Sequence, residues 1–519
     1  MRASTAAGTR HPTGLLVAIL VTIVVWQGAL SAGFTADDVV SLARAARLEP
    51  TPWSFRPLSA VIAWRIEYAA FHLQPHGYHV VALVLHCLNV LALYLITIRL
   101  GGGVGAATSA ATLFGASGIA FTALHAASGV GDLLALQLLL VATWIHLGAR
   151  NRVDSVAPWI AAALALVAVL AKESALAWPF VIVGIEFLAG LPSPTLRNGT
   201  AVPRTHVVLP ALFVGLVGVA WMAATVGRGA TSATGAYAVS LSPAHLLTNL
   251  STYLLWTVQV GTPVRDWIAA PDPAALAVGL AVVALLAALW LVHWQDPRLL
   301  RVGTLWLLGF ALPVLPLLHH TYLYYLYVPW AGGALAAVGL FAWLAAPAPT
   351  QVARIAAIVL VLAFVVAEAR GVRNRERATI AHLPADRTLR DAALLHNVIS
   401  GLERERLPAG TVVGFVNPSP APRVEPTPGA SAPVDGRRPY YPLESVMEGG
   451  RTLRVFLPQL GYAGCSDTIP RSWTDVEVFL FEQRGYLRRW GRGPEALRRE
   501  AEWVRDARTA GADSVTRTP

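Results

Sequence analysis

Two adjacent carboxylates, Asp37 and Asp38, stand just beyond the first apolar run of this chain. Acids so placed can strip or orient a hydroxyl proton during attack on an activated carbon, or hold a metal ion or a substrate group. A plainer use exists: Thr35-x-x-Asp38 is a capping box opening an amphipathic helix over 38–48, where acids also suit the helix dipole. The two uses are compatible, one acid capping while the other reacts. Downstream comes Ser54-Phe55-Arg56-Pro57-Leu58. Proline in the first turn of a helix over 58–71 leaves Arg56 beside free backbone N–H groups, a ready place for phosphate. The competing reading is an arginine reaching up to lipid headgroups. Arg65 and Glu67 on that helix read as facing water or headgroups.

Further polar residues sit where apolar sequence surrounds them. His79 and His86 are seven apart, with Asn89 a turn further, so they share one helix face that must meet protein or a cavity rather than lipid. That spacing suits hydrogen bonding better than a metal pair; His79, nearer the helix entry, could reach a substrate. His125 and Asp132 bracket a short turn, HAASGVGD. Lys172-Glu173 fill another. A lysine at membrane depth must be paired or bound to an anion such as phosphate. His319, His320, Tyr325 and Tyr327 belong to an aromatic cluster at the start of a further span. An interfacial belt accounts for its tyrosines. No set of ligands in the sequence requires a metal.

The elements that must position these residues follow from composition. Of 519 residues 55% are hydrophobic and 13% charged, which points to a polytopic membrane protein. The net charge of +10 is almost all arginine, since Lys172 is the single lysine, and membrane-face loops with an Arg-rich tail account for it without nucleic acid. Cys87 and Cys465 are too far apart in character and position to suggest a disulfide. The first apolar run reads as an uncleaved span rather than a removed signal. With about 20 apolar residues needed per crossing, spans are expected near 14–32, 79–98, 104–124, 132–148, 156–171, 174–190, 206–226, 274–293, 303–318, 323–345 and 353–369. Residues 244–262 could span or lie at the interface. Without that crossing, Arg2, Arg10, Arg99, Arg150, Arg152, Arg197, Arg204, Arg298 and Arg301 fall on one side, the cytoplasmic one. The chemistry-bearing residues then fall on the other. The expected fold is thus an all-α polytopic membrane protein of about 11 transmembrane helices over 1–370, followed by a small soluble α/β domain over 371–519. The latter is read as extracytoplasmic, with a helix at 386–406, strands near 411–416, 452–457 and 475–482, a helix at 494–508, and a Pro/Gly-rich stretch over 417–436.

Taken in order, the motifs resemble the multi-span glycosyltransferases of the GT-C class. They are most similar to the transmembrane part of the tetratricopeptide-repeat O-mannosyltransferases and their bacterial relatives. The matching elements are Asp37-Asp38; Ser54-Phe55-Arg56-Pro57-Leu58; Gly77-Tyr78-His79 with His86 and Asn89; and His125 with Gly129-Val130-Gly131-Asp132-Leu133-Leu134. Lys172-Glu173 and Tyr325-Leu326-Tyr327-Val328-Pro329 complete the set. The likeness covers roughly residues 15–345. It departs in two places: there are no tetratricopeptide repeats, and His320-Thr321 stand where the family has Glu-Arg.

What the resemblance implies is transfer of a sugar, mannose-like, from a polyprenyl-phosphate donor to an acceptor hydroxyl on the extracytoplasmic face, by single displacement with inversion. It implies a catalytic Asp37, or failing that Asp38. Arg56, His79, Lys172, Glu173, His125, Asp132, His320, Tyr325 and Tyr327 would contact substrate or phosphate. Partners would be the lipid-linked donor, membrane lipids and an acceptor protein or glycan; the location would be the plasma or inner membrane. A divalent cation is neither required nor excluded. Rival readings are a transporter or flippase of lipid-linked glycans and an inactive scaffold; the lack of internal repeats weighs against the first, and the retained acids and cations against the second.

Overall fold

The computed structural model describes residues 11–51, 54–150, 156–191, 203–225, 238–261, 276–277, 279–282, 298–318, 321–380, 382–417, 443–481 and 485–502. Several expectations lie outside them: His319 and His320, nearly all of the span at 274–293, Arg2, Arg10, Arg152 and Arg197, most of the stretch 417–436, and the helix beyond 502. The chain packs as two compact units. The first comprises residues 1–31, 52–67 and 76–376; the second comprises 32–51, 68–75 and 377–519.

The first unit is a bundle of apolar helices. Six are long and apolar enough to cross a membrane: Pro12–Ser31, Pro75–Arg99, Ala127–Ala149, Thr205–Thr225, Leu323–Leu344 and Thr350–Arg377. A bent pair, Val104–Ala116 with Gly118–His125, makes a seventh if counted as one span. The protein is a multi-pass membrane protein by these helices, but eleven full-length spans are not what the described residues show. The expected spans at 156–171, 174–190 and 303–318 contain shorter helices, Ala157–Val169, Trp178–Leu188 and Arg298–Ala311. Apolar length in sequence did not translate into helix length because chain reversals and 3-10 turns occupy part of each run. The ambiguous segment forms helix Pro243–Val258, with Asn249, Ser251 and Thr252 buried.

Small residues let the helices approach closely, as expected in lipid, where packing rather than hydrophobic exclusion drives association. Helix Arg298–Ala311 lies against Tyr327–Leu344 along a seam of Gly303, Gly332, Ala336 and Gly339. A Cβ on Gly332 would stand 2.5 Å from the Gly303 carbonyl oxygen and 2.6 Å from the Leu307 nitrogen, both backbone atoms that cannot swing aside.

The expected span at 104–124 is broken. Its helix ends at Ala116, Ser117 is extended, and the chain resumes at a 42° bend. The break strands backbone polar groups, which would be costly in a dry interior. Two of them are met from elsewhere in the same unit. The Gly115 carbonyl accepts from Trp26 Nε1 at 2.7 Å and from His86 Nε2 at 3.1 Å, and the Gly118 N–H donates to the Glu368 carboxylate at 2.8 Å.

The second unit carries a four-stranded sheet. Strand Val412–Val416 lies between Gly461–Ser466 and Glu477–Phe481, parallel to both, and Leu487–Arg492 pairs antiparallel on the far side of Glu477–Phe481. Helix Arg387–Glu405 begins at Asp386, whose side chain accepts from the Leu389 N–H at 3.1 Å. The expected strand at 452–457 is instead helix Arg451–Phe456, entered through Glu448, Gly449 and Gly450, all with positive φ. So short an alternating run does not distinguish strand from helix, and the turn before it decides. Glu67 also corrects its sequence reading: it is buried, sharing with Trp64 the inward face of helix Trp64–Phe71.

Gly332→Leu is expected to cost about 3 kcal/mol, the upper part of the range for overpacking. A lowered thermal midpoint of the detergent-purified protein would show it; an unchanged midpoint would mean the seam is looser than described.

Candidate active site

Four chemistry-bearing residues of the first unit, Arg56, Asp132, Lys172 and Glu173, meet at a chain reversal. Helix Ala157–Val169 ends, Lys172 adopts an extended backbone, and a 3-10 turn over Glu173–Ala177 leads into helix Trp178–Leu188, whose Pro179 suits a helix start. The Arg56 segment is fastened to this reversal by two hydrogen bonds. The Leu58 N–H donates to the Leu170 carbonyl at 3.0 Å, and Ser59 Oγ donates to the Ala171 carbonyl at 2.6 Å. A third segment fits the same spot because residue 131 is glycine: a Cβ there would lie 3.3 Å from both the Ala171 oxygen and Ser59 Oγ. Trp221 Nε1 holds the Phe55 carbonyl at 3.2 Å, and Arg56 N–H is met by Ser54 Oγ at 3.1 Å.

These fastenings set up two crossed ion pairs. Lys172 and Glu173 are chain neighbours, yet neither takes the other as its partner. Lys172 Nζ bonds Asp132 Oδ2 at 3.0 Å, with little exposure of either. Arg56 grips Glu173 bidentately, Nε to Oε2 and Nη2 to Oε1, each at 2.5 Å, and about a quarter of each side chain is open. Burial pushes the Glu173 carboxyl up. The Arg56 charge, the Lys172 charge and the Arg56 hydrogen bonds outweigh this and hold it below the usual carboxylate range. The Lys172 ammonium also lies over two aromatic rings, 5.3 Å from Tyr324 and 5.6 Å from Tyr325. Tyr322 stacks on Tyr324 behind them. Tyr324 was not singled out by sequence, although its place in the run Tyr322–Tyr327 was the available signal.

Other expected site residues of this unit lie in different local networks. His79 is fully buried, and its Nδ1 donates to the Leu124 carbonyl at 2.9 Å. His125 stacks on Phe121 and directs Nδ1 to the Phe121 carbonyl at 3.0 Å and Nε2 to Glu376 at 3.2 Å. Tyr327 belongs with His86 and Asn89. A carbonyl can only accept, so His86 Nε2 carries the hydrogen toward Gly115 and its Nδ1 receives the Tyr327 hydroxyl at 2.8 Å. That hydroxyl accepts from Asn89 Nδ2 at 3.1 Å. This is a buried support for the bend. Glu368, which belongs to the same support, was missed because it sits at the end of what reads as a plain apolar span, and Glu376, the partner of His125, lies beyond that span in an arginine-rich stretch.

In the second unit, Asp37 and Asp38 are no longer equivalent. Asp38 is buried and accepts from Thr35 N at 2.7 Å and Thr35 Oγ1 at 2.9 Å, completing the capping box of helix Ala36–Ala45. Asp37, in the same first turn, is exposed. Its charge acts on Asp391 and Glu448. Burial pushes the Asp391 carboxyl up to about 6; Arg387 and Arg390 pull it down, and Asp37 and Asp386 push it further up. Burial likewise raises Glu448, with Asp37 and Glu444 adding to the effect against Arg451. Cys87 and Cys465 are both free, and among the described residues no three His, Cys, Asp or Glu side chains group as metal ligands.

No protein-family model and no curated protein matches this sequence. Among solved structures, it is similar to the oligosaccharyltransferase of Archaeoglobus fulgidus in its apo form, with a TM-score of 0.44 and 14% identity over 80% of this chain and 63% of that one. The same enzyme tethered to an acceptor peptide carrying the NVT sequon gives a TM-score of 0.42 at 13% identity, covering 79% and 62%. This chain thus spans less than two thirds of the length of those structures.

Two measurements test the electrostatics. Lys172→Met should cost about 3–5 kcal/mol by leaving Asp132 charged and alone, whereas Lys172→Met with Asp132→Leu should recover most of it. Equal losses in the single and double variants would mean that the pair is not coupled. For Asp391, the folded state holds its proton more tightly than the unfolded one, whose carboxyl titrates near 3.8. Stability therefore falls as pH rises from about 4 to 6. Asp391→Asn should raise the thermal midpoint at pH 7.5, and the gain should fade toward pH 4.

Proposed function

We propose that this chain transfers a sugar, mannose-like, from a polyprenyl-phosphate donor to an acceptor hydroxyl on the extracytoplasmic face, by single displacement with inversion. The observation that carries the reading is the concentration of cationic groups on one carboxylate: Arg56 binds Glu173 directly and the Lys172 charge acts on it as well. A polyprenyl chain must lie in lipid with its phosphate at the interface. Arg56 and Lys172 are the groups that would neutralise that phosphate as it leaves, and stabilisation of developing charge is commonly the largest catalytic contribution. In the resting protein Glu173 and Asp132 keep those cations paired, so neither stands as a bare buried charge. An incoming phosphate would compete with Glu173 for the bidentate face of the guanidinium.

Asp37 is the base in this reading. Its neighbour's carboxylate is engaged in the capping box, while Asp37 is exposed and open to a hydroxyl. Tyr324 and Tyr325 hold Lys172 in place by their ring faces. Glu173 and Asp132 set the position of the two cations. His79, His125 and Tyr327 are positioning residues for the helices that frame the site, and His320 is retained as a phosphate contact by its place in the motif alone.

Purified protein incubated with polyprenyl-phosphate mannose, and with the glucose and N-acetylglucosamine analogues, should release free polyprenyl phosphate with at least one of them. Asp37→Asn should reduce transfer about 10²–10⁴-fold, and Arg56→Gln about 10²–10³-fold, with expression unchanged. Asp38→Asn should chiefly lower stability by about 1 kcal/mol through the cap. Full activity in Asp37→Asn would remove that residue as base, and inactivity toward every lipid-phosphate sugar would remove the reaction. Arg488→Cys should react with an impermeant thiol reagent from outside the cell; labelling only after the inner face is opened would reverse the topology.

A further inference from the structure

A cavity of about 350 Å³ in the second unit is lined by Glu444, Glu448, Gly449, Arg451 and Arg454. It is large enough for one or two sugar rings. Its side chains are held by partners behind them. Tyr462 Oη donates to Glu444 Oε2 at 2.6 Å, and Arg451 Nε donates to both Glu49 oxygens at 2.9 and 3.0 Å. Arg454 Nη2 reaches the same carboxylate at 2.5 Å, and Arg451 Nη1 meets Glu448 at 3.3 Å. The floor is a turn. Glu448, Gly449 and Gly450 have φ of 48°, 61° and 86°; the Tyr462 ring packs against Gly450, and a Cβ on Gly449 would meet nothing within 4 Å. Glycine at 449 suits a backbone held at positive φ.

The charge balance selects the ligand. Arg451 and Arg454 carry two positive charges against the three carboxylates of Glu49, Glu444 and Glu448, which leaves the site acidic by one charge, and the charge of Asp37 also reaches Glu448. An anion is disfavoured there. A metal ion lacks its ligands, since no three suitable side chains are grouped among the described residues. What remains is carboxylate oxygens that accept beside guanidinium edges that donate, and a hydroxyl group does both. Vicinal hydroxyls can bridge such a set while displacing none of it.

We propose that this cavity binds an uncharged glycan, making the acceptor a carbohydrate hydroxyl rather than a protein one. The role as acceptor rests on the transferase reading above, whereas glycan binding by the second unit does not. Asp37 belongs to the same unit, and the helix that carries it, Ala36–Ala45, packs against helix Arg451–Phe456 and the turn before it, so a glycan held at Glu448 would lie alongside the helix of the base.

The test is calorimetric titration of the purified full chain with α-mannobiose, maltose and cellobiose, and separately with spermidine and with magnesium chloride. At least one disaccharide should bind saturably, with slowed hydrogen exchange over 443–454. Glu444→Gln with Glu448→Gln should weaken that binding at least tenfold at unchanged melting temperature. Arg454→Gln, at a half-exposed position where misfolding is not an issue, should weaken it by a smaller factor. Binding of spermidine or magnesium with no disaccharide bound would overturn the proposal, as would disaccharide binding that is indifferent to all three substitutions. Saturable disaccharide binding without any transfer from lipid-phosphate sugars would uphold the glycan site and sink the transferase reading. Transfer onto a serine- or threonine-containing peptide with no disaccharide bound would do the reverse.

Discussion

The first unit is organised by the exchange of partners between two ion pairs. Lysine and glutamate adjacent in the chain would most simply neutralise each other, leaving Asp132 and Arg56 to find other company in an apolar bundle. Instead Lys172 takes Asp132 and Arg56 takes Glu173. Three chain segments are thereby tied at one point, and the electrostatic reason is strong because each charge in a low-dielectric setting would be destabilising alone. The backbone supports the exchange: Ser59 and Leu58 bond to Ala171 and Leu170, and a glycine at 131 lets the Asp132 segment come alongside. The two pairs differ in exposure: the lysine pair is buried against tyrosine rings, whereas the arginine pair is partly open.

A second constraint comes from the break at Ser117. Interrupting a helix inside a bundle leaves carbonyl and amide groups that neither lipid nor apolar side chains can satisfy. Trp26, His86 and Glu368 supply the missing partners from three other helices. The polar residues on the Pro75–Arg99 helix thus have a structural explanation: His86 and Asn89 serve the bend through Gly115 and Tyr327, and His79 serves the following turn through Leu124. Their shared helix face was legible; the purpose of that face was not.

The second unit shows how one residue pair can divide its tasks. Thr35 selects Asp38 for the cap because the third helical position is the one whose side chain reaches back to the N-cap amide. Asp37, one residue earlier, points elsewhere and stays exposed. Its electrostatic surroundings come from helix Arg387–Glu405 and from the turn at Glu448, more than 350 residues away in the chain. The misread strand at 452–457 belongs to the same lesson, since the local pattern there was compatible with both periods and the positive-φ turn before it settled the outcome.

By itself, the sequence determined the membrane character, the long apolar helices, the Thr35–Asp38 cap and the residues that carry charge into apolar surroundings. These follow from composition and from spacings of three, four or seven residues, which are local quantities. Only the tertiary structure decided which charge pairs with which, where an apparently continuous span breaks, which of two neighbouring acids is left open, and that Tyr324 and Glu368 matter. Those outcomes depend on distances between segments far apart in the chain. Close packing of glycines and the need to satisfy every buried polar group fix such distances, and neither is written in any short stretch of residues.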